Sequence, residues 1–178
     1  MKVSEKGFTL IELLISISII SATIAAAGAA IYQMMSNTQR NADHMTAVRQ
    51  VENAGAWISR DAQMALSANG TEDLTLPDFL VLAWTTWDAT GANPVYHSAR
   101  YFFEGLTGGV GTLMRNHWSS DGANQTTLIA QYIYYDSSDI TNTSNANYEN
   151  PLLTVKLTGT SEDILESREY KIKRRPNY

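Results

Sequence analysis

Hydrophobic and polar positions divide the chain into three stretches with different periods. Residues 8–31 form an almost unbroken apolar run in which Glu12 is the only charged residue. From about Tyr32 the apolar positions recur at helical spacing, and beyond Gly70 they change to the alternation and short runs that are typical of strands. This order predicts one long helix followed by an antiparallel sheet, which is an α+β fold.

The first apolar run is long enough to cross a bilayer. Phe8 to Ile31 is 24 residues, and a helix of this length spans roughly 36 Å, against about 30 Å for the hydrocarbon core. Lys2 and Lys6 precede it, and positive flanks stay on the cytoplasmic side. We therefore expect a single-pass segment whose C-terminal end, with the domain that follows, lies on the side of the membrane away from the cytoplasm. A cleaved secretory signal is the weaker alternative, because the small residues Ala25 to Ala30 lie inside a helix that continues.

The second stretch predicts an amphipathic helix that continues from the first. No proline interrupts residues 8–76, and one helical face collects small and aliphatic residues: Ala47, Val51, Ala54, Ile58, Ala62 and Ala65. Ala68-Asn69-Gly70 is a typical helix stop, so the helix should end near Ser67. The predicted organisation is a leader at 1–7, a membrane half at 8–31, an amphipathic half at 32–68 and a β domain at 69–178.

The third stretch predicts six strands, over Phe79 to Trp87, Arg100 to Glu104, Gly111 to Trp118, Thr127 to Tyr135, Leu152 to Thr158 and Arg168 to Lys173. The glycine-rich segment 105–111 predicts a hairpin turn, since it lacks the Gly-Lys-Ser/Thr ending of a phosphate loop. The segment 136–150 is rich in Asn, Ser, Thr and Asp, which predicts an exposed loop of low order.

The residues give no pattern for catalysis. There are no cysteines, which excludes disulfides and thiolate sites. His44, His97 and His117 lie in three different predicted elements without the spacing of a zinc site, so we expect no enzyme, no metal and no cofactor. Calcium held by Asp136 and Asp139 is a weaker alternative. A net charge of −5 argues against nucleic-acid binding.

Two further sets of residues have a structural interpretation. Adjacent residues on a helix do not face each other, so Arg60 and Asp61 should each pair with a loop or hairpin group. The aromatic residues are expected in the core or in a subunit interface rather than in a ligand site; they include Trp57, Trp84, Trp87, Trp118, Tyr132, Tyr134 and Tyr135.

Glu12 requires an explanation of its own, because ionisable groups in a membrane segment usually have a partner and a function. If the chain were cut between Gly7 and Phe8, the new amine of Phe8 would be positively charged. It could pair with Glu12 of its own chain or of a neighbouring one, and a buried carboxylate is tolerated when it is paired. Such a pair would report the correct register between packed helices.

The segment Lys6 to Leu14, KGFTLIELL, resembles the class III signal of type IV pilins and type II secretion pseudopilins. The resemblance implies a pilin fold. It also implies that a prepilin peptidase cuts after Gly7 and methylates the amine of Phe8, and that Glu12 pairs with the terminal amine of an adjacent subunit during filament assembly. Many major pilins have a proline late in the apolar helix, whereas this chain has Gly28 in that region.

Three further segments resemble the J-type minor pseudopilins and the W-type minor pilins: Trp57 to Ala65, Val95 to Arg115 and Arg174 to Asn177. This resemblance implies a structural subunit at the filament tip that helps to initiate assembly, with I-type, K-type and major subunits, the prepilin peptidase and the inner membrane as partners. A tip adhesin or a DNA-uptake subunit is the alternative. Whether the machine secretes proteins, extends a pilus or imports DNA stays open.

Overall fold

The computed structural model describes Gly7, residues 9–162 and residues 164–173. In this part of the chain one helix, α1 (Leu10–Met64), precedes eight strands, which are β1 (Ser67–Asn69), β2 (Asp78–Trp87), β3 (Pro94–Thr107), β4 (Val110–Ser119), β5 (Asn124–Tyr134), β6 (Asn145–Glu149), β7 (Leu152–Ser161) and β8 (Ile164–Lys173). The predicted α+β, pilin-type fold of one long helix and an antiparallel sheet is confirmed. The chain divides into two compact units, residues 1–42 and 43–178, and α1 contributes to both.

The second unit contains a curled antiparallel sheet in the order β1-β2-β3-β4-β5-β7-β6, with β8 paired to β7. The residues after β1 also contact β6. The amide and hydroxyl of Thr71 donate to the carbonyl of Ala146 at 2.8 and 3.0 Å. Gly70 permits this approach, since a Cβ atom there would lie 2.1 Å from the same carbonyl oxygen. This contact with β6 therefore depends on a missing side chain at Gly70.

The C-terminal part of α1 packs on this sheet through the predicted face. Ala47, Val51, Ala54, Ile58, Ala62 and Ala65 are all at most 2% exposed, which confirms the prediction. Gly159 of β7 lies so close to α1 that a Cβ atom there would be 2.8 Å from the Ala47 carbonyl oxygen. The amide of Gln131 in β5 donates to Gln50 Oε1 at 2.8 Å, so α1 also supplies a partner for a strand edge.

Strand β8 runs beside α1 and contacts it through alternate side chains. Glu166 lies 3.4 Å from His44, and Arg168 lies 2.7 Å from Glu52. The Tyr170 hydroxyl donates to the carbonyl of Val51 at 3.2 Å, and its ring fills the space beside Gly55. The alternation of side chains along a strand brings these even-numbered residues to the helix side.

The hairpin predicted at the glycine-rich segment is confirmed, and the glycines explain its geometry. Gly108 and Gly109 have φ angles of +58° and +80°, the left-handed pair that a type I′ hairpin turn requires. The strand before it, β3, begins at Pro94, six residues earlier than predicted. The sequence Pro94 to Ala99 contains few strong strand formers, but it pairs with β2 along its length.

Strands β5 and β8 also begin before their predicted starts, at Asn124 and Ile164, and the helix end and one loop differ from the predictions. The helix ends at Met64, before Ser67, because residues 67–69 pair with β2 as β1. The exposed loop predicted at 136–150 is wrong, since it contains β6 and the fully buried Ser144 and Ala146. Ser144 Oγ accepts the amide proton of Thr158 at 2.9 Å. A polar side chain of this segment thus forms a hydrogen bond with a backbone group of the sheet instead of facing solvent from a loop.

Candidate functional site

The candidate site is the chain around the start of α1. Gly7 is exposed, and among the described residues beyond its chain neighbours no atom lies within 4 Å of the place where a Cβ atom would stand. Phe8, on which the predicted methylation falls, lies outside the described residues, as do Lys2, Lys6 and the Arg174 to Asn177 tail. What the structure describes is therefore an open glycine followed by a capped helix.

Thr9 and Glu12 form a reciprocal cap at this helix start. The Thr9 amide and hydroxyl donate to Glu12 Oε2 at 3.0 and 2.9 Å, and the Glu12 amide donates to Thr9 Oγ1 at 3.3 Å. This is a capping box, which satisfies backbone donors that the first turn of a helix leaves free. The Thr-x-x-Glu spacing signals it in the sequence, and our reading of the sequence missed it. Glu12 therefore already has a local role, and its Oε1 atom takes part in none of these contacts.

The helix that follows presents a bare apolar surface. All side chains from Thr9 to Met35 are exposed, and the segment is apolar and long enough to cross a membrane. Its hydroxyl groups do not oppose this, because Ser18 and Thr23 donate to the carbonyls of Leu14 and Ile19 at 2.9 and 2.8 Å. A surface of this kind is typical of a helix that lies in lipid or packs against other helices.

A second constellation lies between α1 and the sheet. Asp61 is 1% exposed and accepts from Arg115 Nε at 2.6 Å, from Arg115 Nη2 at 3.1 Å and from the Tyr101 hydroxyl at 2.6 Å. The guanidinium of Arg115 also lies 5.2 Å from the centre of the Trp57 ring. The prediction that Asp61 pairs with a hairpin residue is confirmed.

This network is suited to holding the fold together. Burial, and then the charge of Asp61, raise the pKa of the Tyr101 phenol well above its ordinary value. The phenol therefore stays a hydrogen-bond donor at every physiological pH. The bidentate guanidinium and the phenol both donate to a buried carboxylate of α1, so the network joins the helix to strands β3 and β4.

The side chains of His97 and His117 are in contact, which the sequence analysis did not predict. The rings of His97 and His117 are stacked with centroids 5.5 Å apart, and each also stacks on Trp84, at 5.4 and 5.6 Å. His97 Nε2 lies 2.8 Å from Thr86 Oγ1. Burial, then the charges of Arg115 and His97, lower the pKa of His117. In a curled sheet, residues on three neighbouring strands converge on one face, and no linear motif marks this.

The described residues contain no group of three or more His, Asp and Glu side chains placed to hold a metal ion. Asp136 and Asp139, the calcium alternative, use their carboxylates within their own loop. Asp136 Oδ1 accepts from the amide and hydroxyl of Ser138 at 2.8 and 2.7 Å. Asp139 accepts from the amide and side chain of Asn142 at 3.1 and 3.0 Å.

The aromatic residues divide between the core and the surface. Trp84 is buried, and Trp57 and Tyr135 pack against the core, as expected. Trp87 and Trp118 are 66% and 45% exposed, so they are not core residues, and their place in a subunit interface stays a prediction.

A comparison with family models matches residues 2–28 to the prokaryotic N-terminal methylation motif. No curated protein and no solved structure matches the chain. The matched motif contains Gly7, Phe8 and Glu12, and it supports a type IV pilin-like chain that is a substrate of prepilin peptidase and assembles with other pilin subunits. Together with the apolar helix it fits a membrane-anchored pilin. The match ends at Gly28 and carries nothing on the J or W type.

Proposed function

We propose that this chain is a minor pilin or pseudopilin, a non-enzymatic structural subunit that joins the tip of a type II secretion pseudopilus or type IV pilus and helps to initiate its assembly. The observation that carries the proposal is a capped carboxylate, Glu12, at the start of a bare apolar helix and inside the matched methylation motif. The helix lies in the inner membrane before assembly, and the second unit lies in the periplasm or outside.

Processing is the first step of this function. Hydrolysis of the peptide bond between Gly7 and Phe8 releases the leader with a carboxylate on Gly7 and leaves an amine on Phe8. The amine nitrogen then takes a methyl group from a sulfonium methyl donor, which leaves as the thioether, and the nitrogen loses a proton. Gly7 has open space where a side chain would stand, and a glycine lets its backbone approach an enzyme closely.

Assembly is the second step, and it uses the atom of Glu12 that the cap leaves unused. Glu12 Oε2 accepts from Thr9, so Oε1 is available for the amine of an adjacent subunit. A carboxylate in hydrocarbon is strongly unfavourable alone and tolerable when it is paired. The small residues Ala25 to Ala30 allow the neighbouring helices to approach closely.

The J-type or W-type assignment rests on the segments 57–65 and 95–115. Asp61 belongs to the first segment and Arg115 to the second, and the two side chains form a buried ion pair at 2.6 Å. Two motifs that resemble those of minor subunits thus contribute to one contact. This supports the assignment to a minor subunit, with I-type, K-type and major subunits as its partners in the filament.

The test compares two substitutions at the capping box in cells that also produce the other subunits and the prepilin peptidase. Glu12→Ala removes both the carboxylate and the cap, whereas Thr9→Val removes the hydroxyl of the cap and keeps the carboxylate. We expect both variants to be cleaved after Gly7. We expect Thr9→Val to enter filaments and Glu12→Ala to be absent from them. Incorporation of Glu12→Ala at the wild-type level would exclude the pairing role.

A further inference from the structure

Three aromatic side chains lie exposed on the outer face of the sheet, away from α1. Trp87, Tyr96 and Trp118 are 66%, 56% and 45% exposed. Thr85 pairs with Tyr96 and Ser98 pairs with Trp118, so alternation along each strand brings the three aromatic side chains to one face. Tyr96 and Trp118 also line a groove of about 300 Å³ together with Leu66. We call these three residues the aromatic face.

Two acidic turns border the aromatic face. Asp88 follows Trp87 in the turn between β2 and β3, and Asp121 lies in the turn between β4 and β5. Both turns are at the same end of the sheet, because β2 to β5 are consecutive antiparallel strands. The second turn also touches the aromatic face directly, since the Ser120 amide donates to the carbonyl of Tyr96 at 2.9 Å.

Neither carboxylate has a cationic partner among the ion pairs of the described residues. Asp88 accepts only neutral donors in its contacts, from Thr90, Ala92 and Asn93 at 2.7 to 3.1 Å. Asp121 accepts from the Ser119 hydroxyl and the Ala123 amide. These hydrogen bonds lower the pKa of both carboxyl groups, so each keeps its negative charge at neutral pH. The aromatic face is thus bordered by two carboxylates that form no ion pair in the described part of the chain; His97 and His117 interact electrostatically with Asp121.

Two contacts in the same domain show which chemical group binds an aromatic ring and a carboxylate together. Arg115 donates to Asp61 at 2.6 Å while its guanidinium lies 5.2 Å from the centre of the Trp57 ring. Arg100 donates to Asp78 at 2.6 Å while its guanidinium lies 5.0 Å from the centre of the Phe102 ring. A guanidinium stacks on an aromatic face and binds a carboxylate through the same planar group.

From this charge complementarity we propose that the aromatic face binds an arginine-bearing polypeptide segment of a partner protein. The guanidinium groups stack on Trp87, Tyr96 and Trp118, and their N–H groups reach Asp88 and Asp121. The apolar stems of the arginines occupy the groove beside Leu66. The inference does not rest on the processing or assembly of the chain, because the binding surface belongs to the second unit alone.

The test uses the full chain in a nonionic polyoxyethylene detergent. The ligand is a short end-blocked peptide of alternating arginine and serine, and calorimetry and the indole NMR signals of Trp87 and Trp118 report its binding. We expect Trp87→Ala, Tyr96→Ala and Trp118→Ala each to weaken binding by about twofold to fivefold. The double variant Asp88→Asn, Asp121→Asn should also bind more weakly and lose much of the salt dependence.

The matched control is Tyr132→Ala, which removes an equally exposed tyrosine outside the aromatic face and should leave the affinity unchanged. The same peptide with glutamate in place of arginine should not bind. Three results would overturn the proposal: equal binding by the wild type and the triple aromatic variant, equal binding of the glutamate peptide, and binding of a neutral oligosaccharide such as maltohexaose without binding of the arginine peptide.

Discussion

Replacing Arg115 with methionine would leave a buried carboxylate without its ionic partner. Asp61 is 1% exposed and accepts three hydrogen bonds, two from Arg115 and one from Tyr101. Methionine keeps much of the apolar volume of the arginine stem but donates nothing. Asp61 would keep only the Tyr101 hydroxyl, in a position that water does not reach.

The magnitude follows from the burial of both partners. Removing one partner of a buried ion pair destabilises a protein by about 3–5 kcal/mol, and the lost contact with the Trp57 ring adds to this. Against a total stability of roughly 5–15 kcal/mol, this is a large fraction. At about 2–4 °C per kcal/mol for a domain of this size, the unfolding temperature should fall by roughly 6–20 °C.

Arg100→Met is a matched control for this substitution. Arg100 also binds a carboxylate, Asp78, and also lies over an aromatic ring, but its side chain is 46% exposed against 11% for Arg115. An exposed ion pair contributes only about 0.2–1 kcal/mol. The assay is thermal unfolding of the full chain in detergent, followed by near-ultraviolet circular dichroism.

The double variant Arg115→Met, Asp61→Asn separates charge from packing. Asparagine keeps an acceptor for the Tyr101 hydroxyl and removes the unpaired charge, so much of the lost stability should return. If Arg115→Met and Arg100→Met lowered the unfolding temperature equally, burial would not be what makes the Asp61 pair strong, and our reading of the network would be refuted.

Three further substitutions test other parts of the account. The pKa of His117 is lowered in the folded chain, against an ordinary value of 6.5. The neutral imidazole therefore contributes its full stability above that value, and the contribution is lost as the pH falls through the folded pKa. His117→Gln should flatten the decline of the unfolding temperature between about pH 7 and pH 5, and an unchanged slope would exclude His117 as a source of that decline. Gly159→Ala pushes a Cβ atom to 2.8 Å from the Ala47 carbonyl and should cost about 1–3 kcal/mol in thermal unfolding, whereas Gly28→Ala, with open space around it, should not destabilise. Ser144→Ala removes the acceptor of the Thr158 amide and should cost about 1–3 kcal/mol, while the exposed Ser138→Ala should cost much less.

The parts of the fold that follow a single strong period were predictable. The buried residues of α1 from Ala47 to Ala62 recur at helical spacing, and they and Ala65, just after the helix, are all buried as predicted. Adjacent helical residues point apart, which was enough to expect that Asp61 leaves the helix for the hairpin. The methylation motif at residues 2–28 was likewise readable, because it lies in one short continuous segment.

The parts that failed depend on partners distant in sequence. The segment that contains β6 has the composition of a loop, and it becomes a strand because β7 pairs with it. Residues 67–69 form β1 instead of a last helical turn because β2 pairs with them. The stack of His97 and His117 on Trp84 brings together three strands. Local propensity is too weak to specify such contacts when tertiary pairing competes with it.

The capping box was missed for a different reason, since its signal is entirely local. Thr9 and Glu12 have the Thr-x-x-Glu spacing that begins many helices. A carboxylate in apolar surroundings favoured an ionic partner, the Phe8 amine of the same or of a neighbouring chain, over a local hydrogen bond. The structure adds a partner three residues away, so the assembly role concerns the second carboxylate oxygen.

The central claim is that this chain is a prepilin-type substrate, and the mass of its N-terminal peptide tests it most directly. The full chain is produced with a prepilin peptidase, extracted from membranes and digested, and the first peptide is sequenced by mass spectrometry. Our account predicts that the chain begins at Phe8 and carries one methyl group on its amine. A chain that begins after the small residues Ala25 to Ala30, or one that still begins at Met1 in the presence of the active peptidase, would contradict it.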